Sequence, residues 1–134
     1  MSILHFEDLL VVALQQDEPQ RVLLVFARAG LPDEATGEQR RQFLQGNGGT
    51  LTPVLCVDRG ARELESFDSL VAESRQIGED WDVAFVSSLS GYDGVMPTPE
   101  QAEQPLRVMV RAIQVGNTNN MLAFDRQGKI LSFL

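Results

Sequence analysis

Arg28, Asp58, Arg59, Ser87, Ser88 and Tyr92 are the side chains in this sequence whose types and positions suit ligand binding. The first five are expected at or just past the ends of strands. Ligands of open parallel α/β sheets gather beyond the carboxyl ends of the strands. The adjoining stretch Ser90-Gly91-Tyr92-Asp93-Gly94-Val95-Met96 is rich in hydroxyls and glycine. It is longer than a simple connection needs and leads into a helix N-terminus. An anionic small molecule fits such a place. Serine and glycine also suit ordinary loops, and Arg28 has Asp33 and Glu34 close by in sequence for pairing.

The remaining reactive types give weaker signals. Cys56 is the single cysteine and sits in Val54-Leu55-Cys56-Val57, where strand geometry and apolar neighbours predict a buried, inert thiol with a raised pKa. His5 is the single histidine and starts a helix, where exposure or capping is expected rather than catalysis. A Ser-His-Asp triad has only that residue to use. One cysteine, one histidine and scattered carboxylates do not predict a metal site, and no cofactor motif is present. Gly46-Asn47-Gly48-Gly49-Thr50 has the composition of a phosphate loop but precedes a strand, whereas phosphate loops run from a strand into a helix. It reads as a turn, as does Asn117-Thr118-Asn119-Asn120.

The elements that must position these residues follow from periodicity. Leu4 to Gln16 puts Phe6, Leu9, Leu10, Ala13 and Leu14 at helical spacing. Arg21 to Ala29 contains the unbroken run Val22-Leu23-Leu24-Val25-Phe26-Ala27, the signature of a strand covered on both faces, which points to a parallel sheet. Thr36 with Gln39 suggests a capping box for a short helix ending before Gly46. Thr52 to Val57 predicts a second strand, closed by Asp58-Arg59-Gly60. Ala61 to Ile77 predicts a helix with Leu64, Phe67, Leu70, Val71 and Ser74 on one face and Gly78 as its stop. Trp81 to Leu89 predicts a third strand.

Thr98-Pro99-Glu100-Gln101 marks a helix start by N-cap, proline and capping glutamine, and the helix runs to about Val115. Its apolar face is Ala102, Leu106, Met109, Val110 and Ile113. Met121 to Phe124, a turn at Asp125 to Lys129, and Ile130 to Phe133 complete a closing hairpin. The expected fold is a single α/β domain over residues 1–134. Its order is α-β-α-β-α-β-α-β-β, with a mainly parallel sheet of about five strands, helices on both faces and an antiparallel C-terminal hairpin.

Composition narrows the partners. The chain has 134 residues, 43% hydrophobic and 22% charged, which is ordinary for one packed domain. Eleven basic residues against 19 acidic give a net charge of -8, which disfavours nucleic acid. The only basic doublet is Arg40-Arg41 and the only lysine is Lys129, so no polybasic stretch exists to dock on an anionic membrane. The acidic N-terminal residues Glu7 and Asp8 do not resemble a secretory signal, and no apolar run approaches the roughly 20 residues that cross a bilayer. With a single cysteine, a cytoplasmic protein is expected.

The segments His5-Phe6-Glu7-Asp8-Leu9-Leu10, Ser66 to Arg75 and Leu122-Ala123-Phe124-Asp125-Arg126-Gln127-Gly128 resemble a group of short proteobacterial proteins commonly labelled "ribonucleotide reductase subunit alpha". The label implies a nucleotide-reducing enzyme. Such catalytic subunits are several-fold longer and use several cysteines for radical transfer and dithiol reduction, whereas Cys56 stands alone here. Reductase activity is therefore not expected, and no catalytic residue carries over. The expectation is a non-catalytic binding or regulatory module acting on a protein partner. The alternative is a small-molecule binder or enzyme at the strand ends. The apolar terminal strand also suggests a homodimer through Ile130, Leu131 and Phe133.

Overall fold

The computed structural model describes residues 2–30, 50–78 and 80–131. Its strands are β1 (Gln20–Gly30), β2 (Thr50–Gly60), β3 (Val83–Ser90), β4 (Leu122–Phe124) and β5 (Ile130–Leu131). They form one sheet in the order β2-β1-β3-β4-β5, and every neighbouring pair is antiparallel. The expected mainly parallel sheet is therefore wrong. The Val22–Ala27 run is indeed buried on both faces, but an unbroken apolar run reports only that helices cover both sides. It carries no information about strand direction, which the connections and register decide.

β1 lies inside the sheet, between β2 and β3. Its even-numbered side chains Val22, Leu24 and Phe26 enter one core with Ala84 and Val86 of β3 and Phe124 of β4. Its odd-numbered Leu23, Val25 and Ala27 enter the other with Val83 and Phe85. The period of two along a strand makes this partition automatic. β2 is longer than its Thr52–Val57 core suggested, because Asp58, Arg59 and Gly60 continue the ladder opposite Leu23, Val22 and Arg21. A bulge at Val54 falls where Phe26 pairs with Leu55 and Ala27 with Pro53, and proline is tolerated there because β2 is an edge strand of the described sheet.

Helix α1 (Phe6–Leu14) and helix α2 (Phe67–Ile77) cover the even face, and α3 (Pro99–Gln114) covers the odd face. The helix expected from Ala61 divides in two. Ala61–Glu63 is a single 3-10 turn, and α2 starts after Ser66, whose hydroxyl accepts from Ser69 N at 3.1 Å. Gly78 then stops α2 at φ 86°, as its sequence position indicated. In α3 the Thr98–Gln101 capping box forms as read, with bonds of 2.9 and 3.1 Å, and Ala102, Met109 and Ile113 are buried. The helix and turn expected between Thr36 and Gly49 lie outside the described residues.

An aromatic cluster seals the even face. Phe6 packs on Phe67 at 5.1 Å and edge-on to Phe124 at 5.7 Å, while Trp81 meets Phe26 at 4.8 Å. Each fully buried phenylalanine contributes about 2–3 kcal/mol from apolar burial. Trp81 Nε1 donates to Ser74 Oγ at 2.9 Å, and that hydroxyl donates to the Val71 carbonyl at 2.7 Å. This explains a serine on an otherwise apolar helix face.

The β4–β5 hairpin turns on Asp125, whose carboxylate accepts from the Gln127 and Lys129 amides. Beyond it, Ile130 N donates to the Leu4 carbonyl and Phe6 N donates to the Gly128 carbonyl, both at 2.8 Å. Residues 4–6 therefore occupy the outer edge of the hairpin at Gly128 to Ile130, and an edge-to-edge dimer there would first have to displace them. Phe133 lies outside the described residues.

Candidate functional site

Antiparallel pairing separates the residues that a parallel sheet would have gathered. Arg28 pairs opposite Thr52 and Arg59 opposite Val22, so the two arginines lie six positions apart along β1, roughly 20 Å at about 3.3 Å per residue. They do not share a cleft. Ser87 and Ser88 pair opposite Leu23 and Val22, which puts them at the same end as Asp58 and Arg59. Alternation then divides that end again. Asp58 and Ser87 share the α3 face with Leu23, while Arg59 and Ser88 share the opposite face with Val22.

Most of these groups have structural partners. Asp58 Oδ2 accepts from Arg21 Nε at 2.7 Å and lies 2.6 Å from Nη2, with the arginine side chain only 11% exposed. Arg21 also donates to the Pro97 carbonyl at 3.4 Å, so this pair ties β1 and β2 to the start of α3. Arg59 donates to the Asp58 carbonyl and pairs with Glu73 of α2. Ser88 donates to Gln20 Oε1 at 2.6 Å, and Gln20 donates to Ser90 Oγ. At the far end Arg28 donates to the Asp80 carbonyl. Nearby, Arg126 bonds the Trp81 carbonyl and pairs with Asp80 and Asp82.

Cys56 is exposed, not buried as expected, because β2 lies at the sheet edge. Partial desolvation still pushes its thiol pKa upward, which lowers its reactivity. His5 precedes α1, but the cap comes from Asp8, whose Oδ2 accepts from the Leu4 and His5 amides at 3.0 Å each. Those two bonds, chiefly the one from Leu4, hold the Asp8 carboxyl below its ordinary range. Among the described residues no three His, Cys, Asp or Glu side chains are grouped to hold a metal ion.

Tyr92 is where sequence position and exposed surface coincide. Tyr92 and Val95 exchange backbone hydrogen bonds across Asp93 (φ 51°) and Gly94 (φ 75°). Positive φ at both central residues makes this a type I′ hairpin turn. Glu18 Oε2 accepts from Gly94 N at 2.9 Å, and the Pro19 carbonyl accepts from Gly91 N at 2.8 Å. A Cβ at position 91 would overlap the Val95 carbonyl oxygen and press on Pro19, so only glycine lets the hairpin sit this close. The tip presents Tyr92 at 80% and Val95 at 66% exposure. Beside it lies a groove of about 480 Å³ lined by Leu89, Val95, Met96, Pro97 and Gln101.

Val95 and Met96 were read from sequence only as part of a hydroxyl- and glycine-rich loop, and Leu89 only as the end of a strand. The signal that identifies the tip is Asp93-Gly94, the dipeptide most characteristic of a two-residue hairpin, inside what otherwise reads as a long glycine- and proline-rich loop. Among the described residues no helix is long and apolar enough to cross a membrane. Compared with family models, curated proteins and solved structures, the chain finds no match in any of the three.

Proposed function

We propose that the protein is a non-catalytic binding module that engages a protein partner through the Tyr92–Val95 tip and the groove beside it. The observation that carries this reading is an aromatic side chain held out into solvent by a turn fastened at Gly91 and Gly94. A backbone fixed before binding loses little conformational freedom on association, and tyrosine is enriched among the residues that dominate interface energies. The groove offers an apolar side chain somewhere to enter. Asp93 on the tip, Glu18 beneath it and the net charge of -8 favour a partner whose apolar plug is flanked by basic residues. In this reading the protein works in the cytoplasm, where the exposed Cys56 stays reduced.

Affinity capture with quantitative mass spectrometry tests the proposal. Proteins retained by the wild type are expected to be lost from both Tyr92→Ala and Val95→Asp, and kept by Ile77→Asp, which alters an exposed residue on α2. Equal capture by all four proteins, or no specific capture by the wild type, would overturn it.

A further inference from the structure

We propose that a second cavity, between α3, the sheet and residues 117–121, binds an uncharged small molecule with an apolar body and an amide or hydroxyl edge. This goes beyond the docking surface at Tyr92 and does not depend on it. The cavity measures about 410 Å³ and is bounded by Leu23 and Leu89 of the sheet, Val108 and Met109 of α3, and Met121. That volume falls within the roughly 300–1,000 Å³ of small-molecule sites. Val108 is 59% exposed on its rim.

Charge selects the ligand class. None of the twelve lining residues is charged, in a chain of which 22% is, and Arg107 and Arg111 of the same helix do not line the cavity. A phosphate or carboxylate entering here would lose hydration and gain no ion pair. The anionic ligand that the sequence offered as an alternative would meet no cationic side chain in this lining.

Polar side chains set the ligand's edge. Ser87 projects on the sheet side, Gln104 on the helix, and Asn117 and Asn120 on the closing turn. Gln104, Asn117 and Asn120 are exposed at the rim and Ser87 is half-buried, and none of the four side chains hydrogen-bonds another described residue. Each amide offers donors and an acceptor, and the hydroxyl offers both. An apolar groove floor with a few polar groups along its rim is an arrangement that small-molecule sites use.

The test titrates the ¹⁵N-labelled protein with 2-naphthamide and, separately, with its isosteric carboxylate 2-naphthoate, following backbone amide resonances. The amide is expected to give saturable shifts at Leu23, Ser87 and Met121 in the millimolar range or tighter, and the carboxylate to leave them in place. Ala112→Phe, which fills the cavity, abolishes the response. Val108→Trp at the exposed rim does the same and serves where the first variant fails to fold. Asn120→Ala weakens binding several-fold. The proposal fails if the carboxylate binds as well as the amide, if the shifts persist in a filled variant, or if the amide produces no saturable shift.

Discussion

At the scale of single residues, two side chains make contributions that can be measured separately. Asp8 accepts two backbone amides that would otherwise have no partner at the start of α1, and its folded-state pKa is depressed by them. A depressed carboxyl contributes stability above its unfolded pKa, near about 4, and loses that contribution as pH falls through the lower folded value. Asp8→Asn is therefore expected to melt below the wild type at neutral pH, with the gap closing on acidification; a gap that stays constant with pH would contradict this. Ser74 accepts from the Trp81 indole in the core. Ser74→Ala leaves that N–H without a partner and is expected to cost about 1–3 kcal/mol in chemical denaturation, followed through the single tryptophan's fluorescence.

At the scale of elements, the connections that hold the site are brief and specific. Arg21 and Asp58 bind β1 to β2 and, through the Pro97 carbonyl, to the start of α3. Arg21→Ala leaves a carboxylate with its ion-pair partner gone, and about 3 kcal/mol of stability is expected to disappear. Restoration by Arg21→Ala combined with Asp58→Ala, in part or whole, would identify the unpaired charge as the cause. Gly91→Ala is expected to displace the Tyr92 tip while leaving the sheet in place, visible as amide shifts confined to residues near 18–20 and 91–96. The helix caps at Thr98 and Gly78 were legible because local chemistry alone determines them, and the faces of α2 and α3 followed from their period. Strand direction was not legible, since Val22–Ala27 looks the same in any sheet covered on both sides. Whether Arg28 and Arg59 share a cleft was not legible for the same reason, since strand direction decides it, and antiparallel pairing sets them six positions apart along β1. Arg21 was passed over because one arginine bordering an apolar run does not reveal a partner 37 positions away.

At the scale of the whole molecule, the sheet's outer side at β5 is completed by residues 4–6. Removing residues 2–5 uncovers the Ile130 amide and is expected to raise concentration-dependent association, read by light scattering against the intact chain. Unchanged mass at every concentration would show that this edge is protected by something else. The strand order has a consequence for synthesis. Of the described strands β1 is made first, yet it is an interior one; only α1 on its even face precedes it, while both neighbouring strands, α2 and the whole cover of the odd face come later, the last of them ending at Gln114. At roughly 5–20 residues per second, Val22–Ala27 spends several seconds as a nascent apolar stretch with no completed shelter.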